Sequence, residues 1–401
     1  MGLNSHKSYH EELESIPNEW KVIELGQAGT FSKGKGIKKD EVLFYGNPCV
    51  RYGEIYTKYD NVITRFESFV NEETSKNSIR IFKGDIIFAG SGETKEEIGK
   101  CAAIDTSEKA FAGGDIIILR PSGYNSNFLG YLLNAPFIAK QKAIKGQGDA
   151  VVHIYSSGLS QICIPVPPKK EQDSIAQALS DIDSLINNLD KLIDKRKAIK
   201  QGAMQQLLKS PTQGGKRLMG FEGEWIETTI GEVAKVGTGS KNTQDKVEDG
   251  KYPFFVRSQT VERINTYSFD GEGILTAGDG VGTGKVFHYV NEKVDIHQRV
   301  YLISDFSSSI HGYFLYLVFK ENFYERIISM TAKSSVDSVR KEMITNMKIF
   351  VPPTRIEQET IAKIISDMDK EIGVLETKKS KYLNIKKGMM QDLLTGKTRL
   401  V

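Results

Sequence analysis

Asp85, with Glu93-Thr94-Lys95 eight residues further on, has the D…E-x-K shape of a metal-dependent nuclease, in which carboxylates hold the cation. The alternative is a strand followed by a solvated loop, and the corresponding stretch of an internal repeat, Asp279-Gly280-Val281, lacks the lysine. A second candidate is Gly278-Asp279-Gly280-Val281-Gly282-Thr283-Gly284-Lys285. It fails as a phosphate loop, because Asp279 stands where the first glycine belongs and Val286 follows the lysine. It fails as a dinucleotide fingerprint, because Lys285 takes the place of the third glycine. Tight turns are the simpler reading, and a backbone approaching phosphates is the functional one. No Asn/Asp-Pro-Pro-aromatic tetrapeptide of an amino-methyltransferase occurs, and neither a G-x-S-x-G elbow nor H-E-x-x-H is found. The sequence offers no convincing catalytic constellation.

Basic and amide side chains instead collect in two matched sets. The first holds Lys33, Lys35, Lys38, Lys39 and Arg51, then Lys145, Gln147 and His153. The second holds Lys241, Arg257, Gln259 and Lys285, the run His297-Gln298-Arg299, then Lys333 and Arg340. Singly, each is a solvated residue. As two sets they suit phosphate contacts together with Arg, Gln or His reading of base edges, and so predict double-stranded DNA as partner.

The elements that must position these sets are themselves repeated. Val166-Pro167-Pro168 and Glu171-Gln172 lead into helical sequence, as do Val351-Pro352-Pro353 and Glu357-Gln358, and from the Glu-Gln pair onward the offset is 186 residues. Prolines just ahead of a helix cost no hydrogen bond. Ile175, Leu179, Ile182, Ile186, Leu189 and Ile193 recur at alternating steps of four and three. Ile361, Ile365, Met368, Ile372 and Leu375 do the same, which is the period of a coiled-coil seam. Beyond Ile193 the stripe is expected to drift to Ile199, Ala203 and Leu207, as after a stutter. Both helices run acidic then basic, so antiparallel pairing places opposite charges together.

The remaining chain follows the same duplication. Trp20 and Trp225 are the only tryptophans and open the two globular copies. Val50-Arg51 is echoed by Val256-Arg257, and Gly113-Gly114-Asp115 stands where the other copy has His297-Gln298-Arg299. Short β-rich runs broken by Gly, Asn and Asp precede helical patches at 128–145 and 313–330, which predicts an α+β class. The expected order is a first globular domain over 1–165, a helical spacer over 166–213, a second globular domain over 214–350 and a C-terminal helical spacer over 351–401. Gly396-Lys397-Thr398-Arg399-Leu400 echoes Gly215-Lys216-Arg217-Leu218, as in a cyclic arrangement of two repeats. Three widely spaced cysteines and a net charge of +3 in 401 residues point to a reducing compartment and, weakly, to nucleic acid. His6 and His10 lie in a polar stretch with nothing beside them to complete a metal site.

The repeated Pro-Pro…Glu-Gln helices with Met204-Gln205…Leu207-Leu208 and Met390-Gln391…Leu393-Leu394, and the stretch from Gly280 to Phe287 followed by His297-Gln298-Arg299-Val300-Tyr301, resemble specificity subunits of type I restriction-modification systems. The resemblance implies two target-recognition domains, each reading half of a split, asymmetric DNA site. It implies two long antiparallel helices, with pseudo-two-fold symmetry, that set the spacing and dock two modification subunits. Those subunits would carry S-adenosylmethionine, and restriction subunits would use ATP and magnesium, leaving no cofactor to this chain. It implies a non-catalytic cytoplasmic protein without membrane contact. The competing expectations are an endonuclease using Asp85, Glu93 and Lys95, and a coiled-coil scaffold with no ligand.

Overall fold

The structure is a computed structural model that describes residues 16–330 and 338–401. His6, His10 and Lys333 lie outside the described residues. The chain is α+β and forms two compact units, 1–190 with 377–401, and 191–376. The unit boundaries fall within both long helices, so each unit takes in part of each.

The first long helix is Lys169–Leu207, 39 residues, and the second is Arg355–Leu394, 40 residues. The first begins directly behind its prolines and the second one residue later, after Thr354. All six seam positions from Ile175 to Ile193 are buried, as are Ile361, Ile365 and Ile372. The expected drift to Ile199 does not occur, and that residue is 43% exposed. The heptad continues in phase through Arg196 and Lys200, and the stripe then shifts by one residue, in steps of four, to the buried Met204 and Leu208, so the stutter falls after Lys200. The charged residues are tenable on the seam because each has an acidic partner, Arg196 with Glu371 at 2.9 Å and Lys200 with Asp369 at 2.5 Å. In the first unit, Lys386 meets Asp183 at 2.7 Å and Lys379 meets Asp190 at 2.5 Å. Partner numbers fall on one helix as they rise on the other, so the pairing within each unit is antiparallel. Lys200–Asp369 and Lys386–Asp183 are the same contact under the repeat.

The repeated Glu-Gln pair locks each helix start. Gln172 donates to the Pro167 carbonyl at 2.9 Å and accepts from the Asn125 amide at 2.9 Å. Gln358 donates to Pro352 at 3.1 Å and accepts from His311 at 2.9 Å. Asn125 and His311 in turn cap the helices Ser126–Leu132 and Gly312–Ser329. The glutamates are clamped by arginines that follow the opposite long helix. Arg399 grips Glu171 through two bonds of 2.7 and 2.9 Å, and Arg217 holds Glu357 at 2.7 Å. Burial alone would raise the Glu171 carboxyl, but Arg399, aided by Trp20 Nε1 and the Leu400 amide, holds it below the usual carboxylate range.

In the first unit the strand Lys21–Glu24 pairs antiparallel with Cys163–Val166. The central sheet orders Gly29–Lys33, Ile116–Pro121, Ile86–Ala89, Cys101–Ile104 and Val62–Ile63. In the second unit Ile226–Thr229 pairs with Lys348–Val351. Its six-stranded sheet orders Lys235–Thr238, Val300–Ser304, Phe269–Ala277, Phe287–Ile296, Tyr252–Phe255 and Glu262–Ile264. The covering helix differs between copies. Gly312–Ser329 runs unbroken and packs Phe319 and Phe323 edge-on against Phe287. In the first unit Pro136 opens a second helix, Pro136–Lys145, because proline disfavours the α conformation in the residue before it.

Register corrects one sequence echo. Cys49 and Val50 pair with Phe111 and Ala112, as Phe254 and Phe255 pair with Asp295 and Ile296. Val50 therefore corresponds to Phe255, and Arg51 to Val256, one residue short of Arg257. A shift of one on a strand reverses the face, so the two arginines are not equivalent.

Candidate nucleic-acid interface

Both sheets present the same corner. Gly90 donates to the Asp115 carbonyl at 2.7 Å and Gly278 to that of Arg299 at 2.8 Å. Ile154 donates to Gly90 at 2.9 Å and Val339 to Gly278 at 2.7 Å. Ser91 thus corresponds to Asp279, Asp115 to Arg299, His153 to Ser338 and Tyr155 to Arg340.

At the first corner the loop after Pro136–Lys145 folds back on itself. Gln147 and His153 exchange both backbone hydrogen bonds, at 2.8 and 2.7 Å. His153 Nδ1 lies 3.0 Å from the Ser91 hydroxyl, and its ring stacks on Tyr155. Lys33, Asp115, His153 and Tyr155 line a cleft of about 180 Å³, while Lys145, Gln147 and Tyr155 line another of about 260 Å³. Lys33 lies 3.6 Å from Asp115, and Lys145 donates to Gln161 at 2.6 Å. Lys35 is exposed in the loop after Gly29–Lys33, its amide bonded to the Ala112 carbonyl at 3.2 Å. Arg51 is turned inward toward the buried Glu54, 3.8 Å away. It is a local ion-pair partner, and the structure does not bring it to the corner.

At the second corner four loops converge. Arg257 Nη1 is 2.8 Å from Asp279 Oδ1, and Arg299 Nη1 is 3.7 Å from Asp279 Oδ2. His297 is 4% exposed and accepts the Arg299 amide at Nδ1, 3.0 Å away. Burial, and then the Arg257 charge, hold its imidazole below the ordinary histidine range. A neutral ring beneath the loop supports Arg299; it does not face outward to read bases. Gln298 donates to Asn242 at 2.5 Å, and its amide bonds the Lys241 carbonyl at 2.8 Å. A Cβ on Gly239 would fall 1.9 Å from the Ile296 carbonyl, so only glycine lets the Lys241 loop lie this close. Gly282 is equally constrained, with its Cβ position 2.4 Å from the Arg257 carbonyl. The glycine-rich run is therefore turns packed on the Arg257 loop. Arg340 is exposed next to Val339, and Gln259 is exposed in the turn past Arg257. Lys285 stands apart, its ammonium 5.8 Å over the Tyr324 ring.

The candidate nuclease set is not assembled. Asp85 is 1% exposed, holds the Arg120 guanidinium by two bonds of 2.8 Å and accepts the Phe82 amide. Glu93 and Lys95 lie beyond the other end of the strand Ile86–Ala89, and Lys95 faces Asp149 at 3.6 Å. Asp85 is a structural partner of Arg120. Sequence reasoning missed Asp279, Ser91 and Tyr155 as members of the corners. Asp279 was visible as the residue that spoils a phosphate loop and as part of the repeat's counterpart of the nuclease stretch, not as a partner of arginines.

Two copies of one sheet corner, each bearing cationic and amide side chains on loops, make a nucleic-acid-binding architecture. A family model for the type I restriction modification DNA specificity domain matches residues 17–200 and again 222–384, and the chain belongs to that family. It is 26% identical over 419 aligned residues to the type I restriction enzyme MjaVIII specificity subunit of Methanocaldococcus jannaschii, covering 96% of this chain and 94% of that one. The putative MjaX specificity subunit of the same organism is also 26% identical, with 97% and 96% covered. Among solved structures, the type I restriction-modification S subunit from M. genitalium shares the fold, with a TM-score of 0.66, 16% identity and 98% of each chain covered. Among the described residues no helix is long and apolar enough to cross a membrane.

Proposed function

We propose that this chain is the sequence-reading subunit of a type I restriction-modification complex. Each globular domain reads one half of a bipartite DNA site. The observation that carries the reading is the contrast between repeated and divergent parts. The Glu-Arg clamps and the Gln locks recur in both units, whereas the corners differ residue by residue. A repeated frame with divergent corners suits two half-sites of different sequence, hence an asymmetric site.

The long helices act as the spacer and dock two modification subunits. A helix of 39 residues extends about 58 Å at 1.5 Å per residue, enough to span a DNA turn of roughly 34–36 Å. The modification subunits supply S-adenosylmethionine, and restriction subunits supply ATP- and magnesium-dependent work. The complex acts in the cytoplasm, where the three cysteines, all free, stay reduced. The chain itself performs no catalysis, in keeping with an Asp85 committed to Arg120. Purified protein incubated with plasmid and either methyl donor or magnesium is expected to give no turnover. Cleavage abolished by Glu93→Ala would overturn this assignment.

The decisive experiment is an exchange of residues 221–350 for the matching segment of a relative. Methylome sequencing should find one half of the site altered and the other retained. Alteration of both halves would contradict one domain per half-site.

A further inference from the structure

Asp279 is an anomaly on a surface that faces polyanionic DNA. A carboxylate there repels phosphate, so it costs general affinity. Its surroundings give it a different task. The Gly278 amide and carbonyl pin its backbone to Arg299 and Val339. Its two oxygens each face one guanidinium, Arg257 from the loop after Tyr252–Phe255 and Arg299 from the loop before Val300–Ser304. These arginine side chains remain 45% and 65% exposed, whereas Asp279 is 23% exposed. Each contact is made through a single Nη1 of a side chain that stays exposed, so the other N–H donors of each fork are not taken up by Asp279. A guanidinium so held retains the paired donors that match O6 and N7 of guanine in the major groove.

We propose that Asp279 is a positioning residue that aims Arg257 and Arg299 at guanine, so that the second domain reads a half-site containing a G·C pair. The inference rests on the DNA-reading function proposed above. The first domain has Ser91 and Asp115 at the corresponding places, so the same guanine reader is absent from its corner.

The test uses the full chain assembled with its modification subunits and a duplex library randomised one half-site at a time. The wild-type complex should prefer guanine at one position of the second half-site. Asp279→Ala and Arg299→Lys should each lower that preference about ten- to hundred-fold and leave the first half-site unchanged. Asp279→Glu should restore part of it. Arg299→Lys retains the charge at an exposed position, so the test does not depend on Asp279 variants folding. Unchanged preference in both variants would overturn the proposal, as would uniformly tighter binding to every sequence, which would reduce Asp279 to an electrostatic brake. A wild-type second half-site without guanine would also overturn it, while leaving the DNA-reading function intact. A wild-type complex indifferent to both half-sites would instead refute that function.

Discussion

Arg217→Ala is expected to destabilise the second unit by about 3–5 kcal/mol, the cost of stranding a buried charge. The Glu357 side chain is 0% exposed and that of Arg217 is 18% exposed. Alanine removes the cation but leaves the buried carboxylate at the start of the second long helix. Unfolding of the purified chain by denaturant measures the loss. Replacing both residues with methionine should recover most of it, because an apolar pair of similar volume removes the desolvation cost along with the attraction. Lys197–Glu376, with side chains 55% and 50% exposed, provides the contrast, since an exposed pair is worth about 0–1 kcal/mol. A loss of under about 1 kcal/mol for Arg217→Ala would mean that Glu357 is not held as a buried anion.

Inserting four residues after Leu192 should lengthen the unspecified gap of the DNA site by one or two base pairs without altering either half-site. Four helical residues add about 6 Å and slightly more than one turn, close to two base-pair rises of 3.4 Å. The seam therefore keeps nearly the same face. A single insertion disturbs pairing with the second long helix, so a matched insertion after Lys378, the repeat-equivalent place, is the better variant. The rival is that the helices merely fill a core and the partner subunits set the spacing. Methylome sequencing of the matched variant decides between them: methylation with an unchanged gap would eliminate the helices as spacer.

Much of this architecture is legible in sequence because it rests on local spacing. Heptad steps, prolines ahead of helices and the 186-residue offset each follow from positions close together or strictly repeated. The corners are different. Asp279 meets Arg257 and Arg299, 22 and 20 residues away in opposite directions, through strand pairing that no local pattern specifies. His297 looks like a surface reader in sequence but lies under Arg299, because the turn that presents the arginine needs an acceptor beneath it. The Val-Arg dipeptides matched in letters and failed in register, since residue identity carries no information about which strand neighbour sets the pleat. Ile199 was a natural choice for an apolar stripe, yet Lys200 holds the seam because Asp369 stands opposite.

The Glu-Arg clamps also bear on how each unit is closed within one chain. Arg399 closes on Glu171 and Arg217 on Glu357, so each clamp joins an early part of the chain to a late one. A second molecule carries the same groups and satisfies the same geometry. What favours closure within one chain is the effective local concentration imposed by the covalent connection. For the Arg399–Glu171 clamp, lengthening the connection at 209–215 lowers that value, and crowding chains together competes with it. Under such conditions two molecules are expected to complete each other's clamps, a domain-swapped dimer built from the contacts made within one chain.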